Sequence, residues 1–161
     1  MAEMKRTKSL LIISCLLALV FSANSISAQE FQELNKDSIS NLVKQYYELN
    51  KQVFAANSTV PDIDRIFDLF TDDFTYIHPK YGGTYSRETL YNGYVRNQKN
   101  GAYDGKIVDI KITNIIVGLN AIVVEKKFVK KTADGTLEEG AAEMTLFEFR
   151  ENKIAKIFEY W

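Results

Sequence analysis

From residue 39 onward, Ile39, Leu42, Val43, Tyr46, Leu49, Val53 and Phe54 recur three and four positions apart. That spacing puts side chains on one face of an α-helix. Ser38 stands at the N-cap position, so the pattern predicts an amphipathic helix of about four turns. Tyr46 and Tyr47 are adjacent and cannot both point at the middle of one stripe. Tyr46, one turn from Leu42 and Leu49, keeps the better phase. Residues 55–59 break the pattern, and Pro61 then suits the first turn of a second helix, where its missing N–H costs nothing. Asp62 and Asp64 favour that helix's N-terminus. Ile63, Ile66, Phe67 and Phe70 carry its buried face, and Thr71-Asp72-Asp73 closes it.

Alternation replaces the helical period at residues 74–78. Phe74, Tyr76 and His78 share one face of a short strand by the period of two. Pro79 ends the strand, and Gly82-Gly83 supplies a loop free to take positive φ. Ser86 caps a third helix with Glu88 in its first turn and Leu90, Tyr91, Tyr94 and Val95 on its apolar side, and Asn100-Gly101 closes it. Four β-branched or aromatic runs follow, at 107–117, 121–131, 140–149 and 154–161. The joints at 118–120, 133–136 and 151–153 contain Gly or Asn, as hairpin turns do. Three helices, a short strand and a four-strand antiparallel meander make an α+β domain. One sheet face should receive the helices. The other carries Met144, Leu146, Phe158 and Tyr160, which a second subunit would cover, so a homodimer through the sheet face is expected.

The first residues stand outside this pattern. Lys5, Arg6 and Lys8 precede an apolar run at 10–21 broken only by Ser14, and Ile26-Ser27-Ala28 ends the segment. This is the grammar of a secretory signal peptide cleaved after Ala28, and the run is shorter than a membrane span needs. The expected organisation is a signal peptide at 1–28, a polar lead-in at 29–37 and one domain at 38–161, exported to a periplasm or the exterior and free of the membrane after cleavage. Cys15 lies inside the signal, so the mature chain has no thiol, and one histidine without cysteine leaves no zinc cluster. No metal and no cofactor are expected. A net charge of -1 over 161 residues gives no electrostatic case for nucleic acid.

Leu69-Phe70-Thr71-Asp72-Asp73-Phe74-Thr75, followed by His78-Pro79, resembles the helix-to-strand signature of the nuclear transport factor 2-like superfamily. That group includes SnoaL-like cyclases, ketosteroid isomerases and scytalone dehydratase. Residues 147–161, ending in Glu159-Tyr160-Trp161, resemble its closing hairpin, and the element order matches over roughly residues 38–161. The resemblance implies a cone, in which three N-terminal helices pack in a curved, mainly antiparallel sheet with an apolar pocket at one end. Ketosteroid isomerases place an Asp general base immediately before the Pro, where this chain has His78. Their tyrosine donor lies on the first helix, matched by Tyr46 or Tyr47, and their acidic donor aligns near Thr145, one pleat from Glu143. Two of three identities are therefore missing, and a literal ketosteroid isomerase is not implied.

His78 can take or give a proton near neutral pH. Glu143, Thr145, Phe147 and Phe149 should share a face, and the resemblance adds Ala155, Ile157, Glu159 and Trp161 to the same wall. As catalytic candidates this leaves His78, Tyr46, Glu143 and Glu159, the carboxylates orienting the imidazole and Tyr46 donating to an oxyanion. As ligand-binding candidates it leaves Phe74, Tyr76, Thr145, Phe147, Phe149, Ile157 and Trp161. Lys126-Lys127 and Lys130-Lys131 read as surface lysines that discourage edge pairing. Three functions stand open: a binder of a small apolar molecule, placed first; a cofactor-independent isomerase, dehydratase or cyclase using His78; and a non-catalytic association module.

Overall fold

The computed structural model describes residues 34–161 of the chain. The expected signal peptide at 1–28 and most of the expected lead-in at 29–37 lie outside the described residues. Helix α1 spans Lys36–Phe54, and its cap is Asn35, whose side chain accepts from the N–H groups of Asp37 and Ser38 at 2.9 and 3.1 Å. The helix therefore starts before Ser38. Asn35 caps as well as Ser, and it is anchored by tertiary structure, because the neighbouring Leu34 N–H donates to Asn120 at 3.0 Å.

Helix α2, Val60–Phe67, begins with Thr59 and Asp62 in a reciprocal capping box, Asp62 accepting from the Thr59 N–H at 2.7 Å and from its hydroxyl at 2.8 Å. It ends at Phe67, so Phe70 and Thr71-Asp72-Asp73 do not belong to it. They open strand β1, Phe70–His78. The strand starts early because a distant partner pulls it open: the Ile154 N–H donates to the Leu69 carbonyl at 2.9 Å, and Phe70 pairs with Ile154. Phe70 then stacks on Phe74 with ring centroids 3.9 Å apart. After a 3-10 turn at Pro79–Tyr81 come β2, Gly83–Ser86, and helix α3, Arg87–Lys99, capped by Ser86 as its sequence predicts.

The remaining strands are β3 (Ile107–Val117), β4 (Ala121–Lys131), β5 (Leu137–Glu139), β6 (Glu143–Arg150) and β7 (Lys153–Glu159). They form one seven-stranded sheet in the order β2-β1-β7-β6-β4-β3, with β5 on the far end of β4. The short first strand is thus no outlier beside a four-strand meander. It lies parallel to β7 while every other pair is antiparallel. The β6–β7 turn holds Glu151 and Asn152 at φ 54° and 56°, the left-handed pair that a two-residue hairpin uses.

Two expected orientations change. Tyr46 and Tyr47 are both buried, at 6% and 3% exposure. The curved sheet meets α1 over an arc wider than one stripe, and both rings set their edges against Phe147, at 5.4 and 5.8 Å. In β7, Ile154 rather than Ala155 is fully buried. Glu148 pairs with Lys156 and Phe149 with Ile154, so Ala155 is the extra residue of a bulge that reverses the face upstream of it. Ile157 and Glu159, beyond the bulge, keep the inward face.

Candidate functional site

Strand registers assemble the site. Ile77 pairs with Phe158, which sets His78 beside Glu159; Glu159 pairs with Thr145 and Glu143 with Lys126. The inward residues at this end of β1, β7, β6 and β4 are therefore neighbours, and Trp161 lies just past β7. Lys126 is the centre. Its exposure is 2%, and its ammonium donates to Thr145 Oγ1 at 3.0 Å, Glu143 Oε2 at 3.2 Å and Glu159 Oε2 at 3.4 Å. Glu159 Oε2 also accepts from the Thr145 hydroxyl and from the Trp161 indole N–H, each at 2.6 Å. The Lys126 nitrogen lies 5.1 Å from the Trp161 ring and 5.3 Å from the Phe128 ring, close enough for cation–π attraction.

This corrects the reading of Lys126 as a surface lysine. Parity carried the signal: Ile122, Val124 and Lys126 alternate along one face of β4, and the first two are fully buried. Lys127 faces the other way and pairs with Glu139 at 3.2 Å, while Lys130 and Lys131 are exposed as expected.

His78 is 2% exposed, and neither ring nitrogen has a hydrogen-bond partner among the described residues. It is held by rings instead, Tyr81 at 4.4 Å and Trp161 at 4.5 Å between centroids. Burial pushes its pKa below the ordinary value; Glu159 pulls it up, and Lys80 and Lys126 push it down with the burial. At neutral pH the ring is uncharged, one nitrogen a donor and the other an acceptor. The Tyr47 hydroxyl is also buried without a hydrogen-bond partner among the described residues. Burial raises the phenol pKa of Tyr46, Tyr47 and Tyr76, and the Glu159 charge adds to each.

The expected residues thus separate into two layers. His78, Glu143, Thr145, Glu159 and Trp161 meet at the end of the sheet, with Tyr76 next to His78 at 6.1 Å between rings. Phe74, Phe147, Phe149 and Ile157 are packed at 5% exposure or less in the core beneath, and Tyr46 lies among them, edge-on to Phe147. The carboxylates face Lys126, and no hydrogen bond joins either to His78. Among the described residues, no three His, Cys, Asp or Glu side chains are grouped to hold a metal ion.

No family model and no curated protein matches the chain. Solved structures do. An NTF2-like protein from Anabaena variabilis superposes with a TM-score of 0.55 at 18% identity, over 81% of this chain and 93% of that one. A SnoaL-like protein from Burkholderia thailandensis gives 0.55 at 11% identity, over 80% and 98%. A protein with a ketosteroid isomerase-like fold from Catenulispora acidiphila, solved in complex with trimethylamine, gives 0.50 at 21% identity, over 74% and 84%. At such identities the likeness speaks for the fold. The chain has the NTF2-like fold, the α+β cone shared by SnoaL-like and ketosteroid isomerase-like proteins.

Proposed function

We propose that the protein is an exported pocket domain that binds a small, largely apolar molecule at the His78–Trp161 end of its sheet without turning it over. One observation carries this reading: an uncharged, 2% exposed imidazole with both nitrogens unpaired, set between two aromatic rings. An unpaired buried polar group costs about 1–3 kcal/mol, and a ligand that hydrogen-bonds His78 removes that cost. A catalytic histidine needs a partner to fix its tautomer, and both candidate carboxylates are engaged by Lys126. Export rests on the signal-like residues 1–28. Pairing of two copies is supported by the outer sheet face, where Met144 and Tyr160 are 43% and 50% exposed and Phe158 stacks on Tyr160 at 4.2 Å.

The second reading, a cofactor-independent isomerase, dehydratase or cyclase using His78 as general acid/base, is favoured by the buried phenols of Tyr46 and Tyr76 near the Glu159 charge. Native mass spectrometry of ligand co-purified with the mature protein separates the two. A binder retains a compound unchanged and loses it in His78→Ala. An enzyme converts it, and the variant retains it unconverted. If a broad library of small apolar compounds shows neither retention nor conversion, both readings fail.

A further inference from the structure

We infer that the molecule taken up at this end of the sheet is a monocation, an amine carried on an apolar body. The inference rests on the binding reading above and names its ligand class. Lys126, Glu159 and Glu143 have side-chain exposures of 2%, 6% and 18%, so one ammonium faces two carboxylates, Glu159 shut off from bulk water and Glu143 reaching it at one side. The three N–H groups of Lys126 are used on Glu143, Thr145 and Glu159, and it has no further donor to offer. The cluster therefore holds one formal negative charge more than Lys126 offsets, solvated only through Glu143, and such a half-solvated charge favours a cation beside it.

A second observation points at the same place. His78, beside Glu159 in the register, keeps two unpaired ring nitrogens at 2% exposure, and as a neutral ring it has a lone pair ready to accept an N–H. Glu159 Oε2 is filled by three donors, so the incoming ammonium donates to His78 and lies in the field of Glu159 and Glu143. Trp161 and Tyr81 offer ring faces for the apolar body, and Trp161 already carries one cation at 5.1 Å. The remaining charge near these rings is Lys80, 5.8 Å from the Trp161 ring. Lys80 is exposed, and its charge is screened by water and salt more fully than the carboxylates, at 6% and 18% side-chain exposure, are. An acid on the same body would be repelled by the cluster, and an alcohol would gain only the hydrogen bond.

Three probes with one body test this: phenethylamine, phenethyl alcohol and phenylacetate, titrated against the full mature protein. Trp161 is the only tryptophan, so its fluorescence reports the site directly. The amine should bind about tenfold tighter than the alcohol, the worth of roughly one partly buried ion pair, with the acid weakest. Amine affinity should fall as salt rises while alcohol affinity holds. In Glu143→Gln the ratio of amine to alcohol affinity should shrink toward one. Should that variant fold poorly by circular dichroism, the salt series on the native protein still decides. An alcohol that binds as well as the amine, or an acid that binds tighter, overturns the charge inference and leaves the binding reading standing. If none of the three perturbs Trp161 and none is retained in native mass spectrometry, the charge inference falls, and the binding reading is decided by the broad library above.

Discussion

Replacing Lys126 with Met should unsettle the domain far more than removal of a strand lysine ordinarily does. The thioether fills most of the space and keeps contact with Trp161 and Phe128, so packing loss is small and the effect is electrostatic. Glu143, at 18% side-chain exposure, can turn toward water; Glu159, at 6%, cannot. Breaking a buried pair by removing one partner typically costs 3–5 kcal/mol. Glu159 keeps the Thr145 hydroxyl and the Trp161 indole as donors, which places the expected loss near the lower end, about 3 kcal/mol, or roughly 10 °C in Tm for a domain of this size. Adding Glu159→Gln removes the stranded charge while its amide can still accept from Trp161. The double variant should recover about 2 kcal/mol, read as the coupling in a double-mutant cycle. Urea unfolding followed by circular dichroism and by Trp161 fluorescence gives both numbers. A loss below about 1 kcal/mol in the single variant, the range of exposed ion pairs, would falsify the claim that this ammonium is a buried counter-ion.

Other consequences are simpler to check. The Asp62 carboxyl is held below its ordinary value, chiefly by the Thr59 hydroxyl, so its contribution is full above about pH 4 and lost as pH falls through the lowered value. Asp62→Ala should cost about 1 kcal/mol at pH 7, and thermal melts of variant and parent should converge in acid. His78 has a folded pKa below its ordinary 6.5, so the fold favours the neutral ring: its contribution is complete above about pH 6.5 and falls as pH drops. His78→Phe should therefore flatten the Tm profile between pH 7 and 5, and a parent that gains stability on the variant across that range would contradict the assignment. Glu151→Asn with Asn152→Gly, matching the positive φ at both turn residues, should add about 1 kcal/mol in chemical denaturation; no gain would mean the turn is not strained.

Local chemistry carried much of the architecture. Ser86, Asn100-Gly101 and the spacing of Ile107–Val117 and Ala121–Lys131 describe their elements correctly because caps, turn residues and alternation act within a few positions. Residues 70–73 could not be read this way. They look like the end of a helix, and they become strand because Leu69 and Phe70 meet Ile154, a pairing that no local pattern announces. Tyr47 shows the same limit, since a sheet wrapped around α1 buries more of the helix than its periodicity suggests. Part of the candidate site followed from parity, which put His78 on the inner face of its strand and Glu143 with Thr145 on one face, while Glu159 joined them only through the family resemblance. Lys126 was missed although the same parity pointed inward, because lysine on a strand suggests solvent, and only its position across from Glu143 and near Glu159 makes burial tolerable.

The parallel pairing of β1 with β7 has a kinetic side. Locally, the strand that carries His78 has only the four residues of β2 to pair with, and its other edge stays open until Lys153–Glu159 arrives. Contacts of such long sequence separation form late and slow the folding of the chain that needs them. Helices and the β3–β4 hairpin can gather first, but Glu159, Trp161 and His78 come together only when the last strand inserts between β1 and β6. On that order assembly of the site would be the closing step of folding, and a ligand that recognises it would bind only the completed domain. Such a ligand would raise the stability of the whole molecule in proportion to the logarithm of its concentration, and Ile77 would register its arrival as slower amide exchange as clearly as His78 itself.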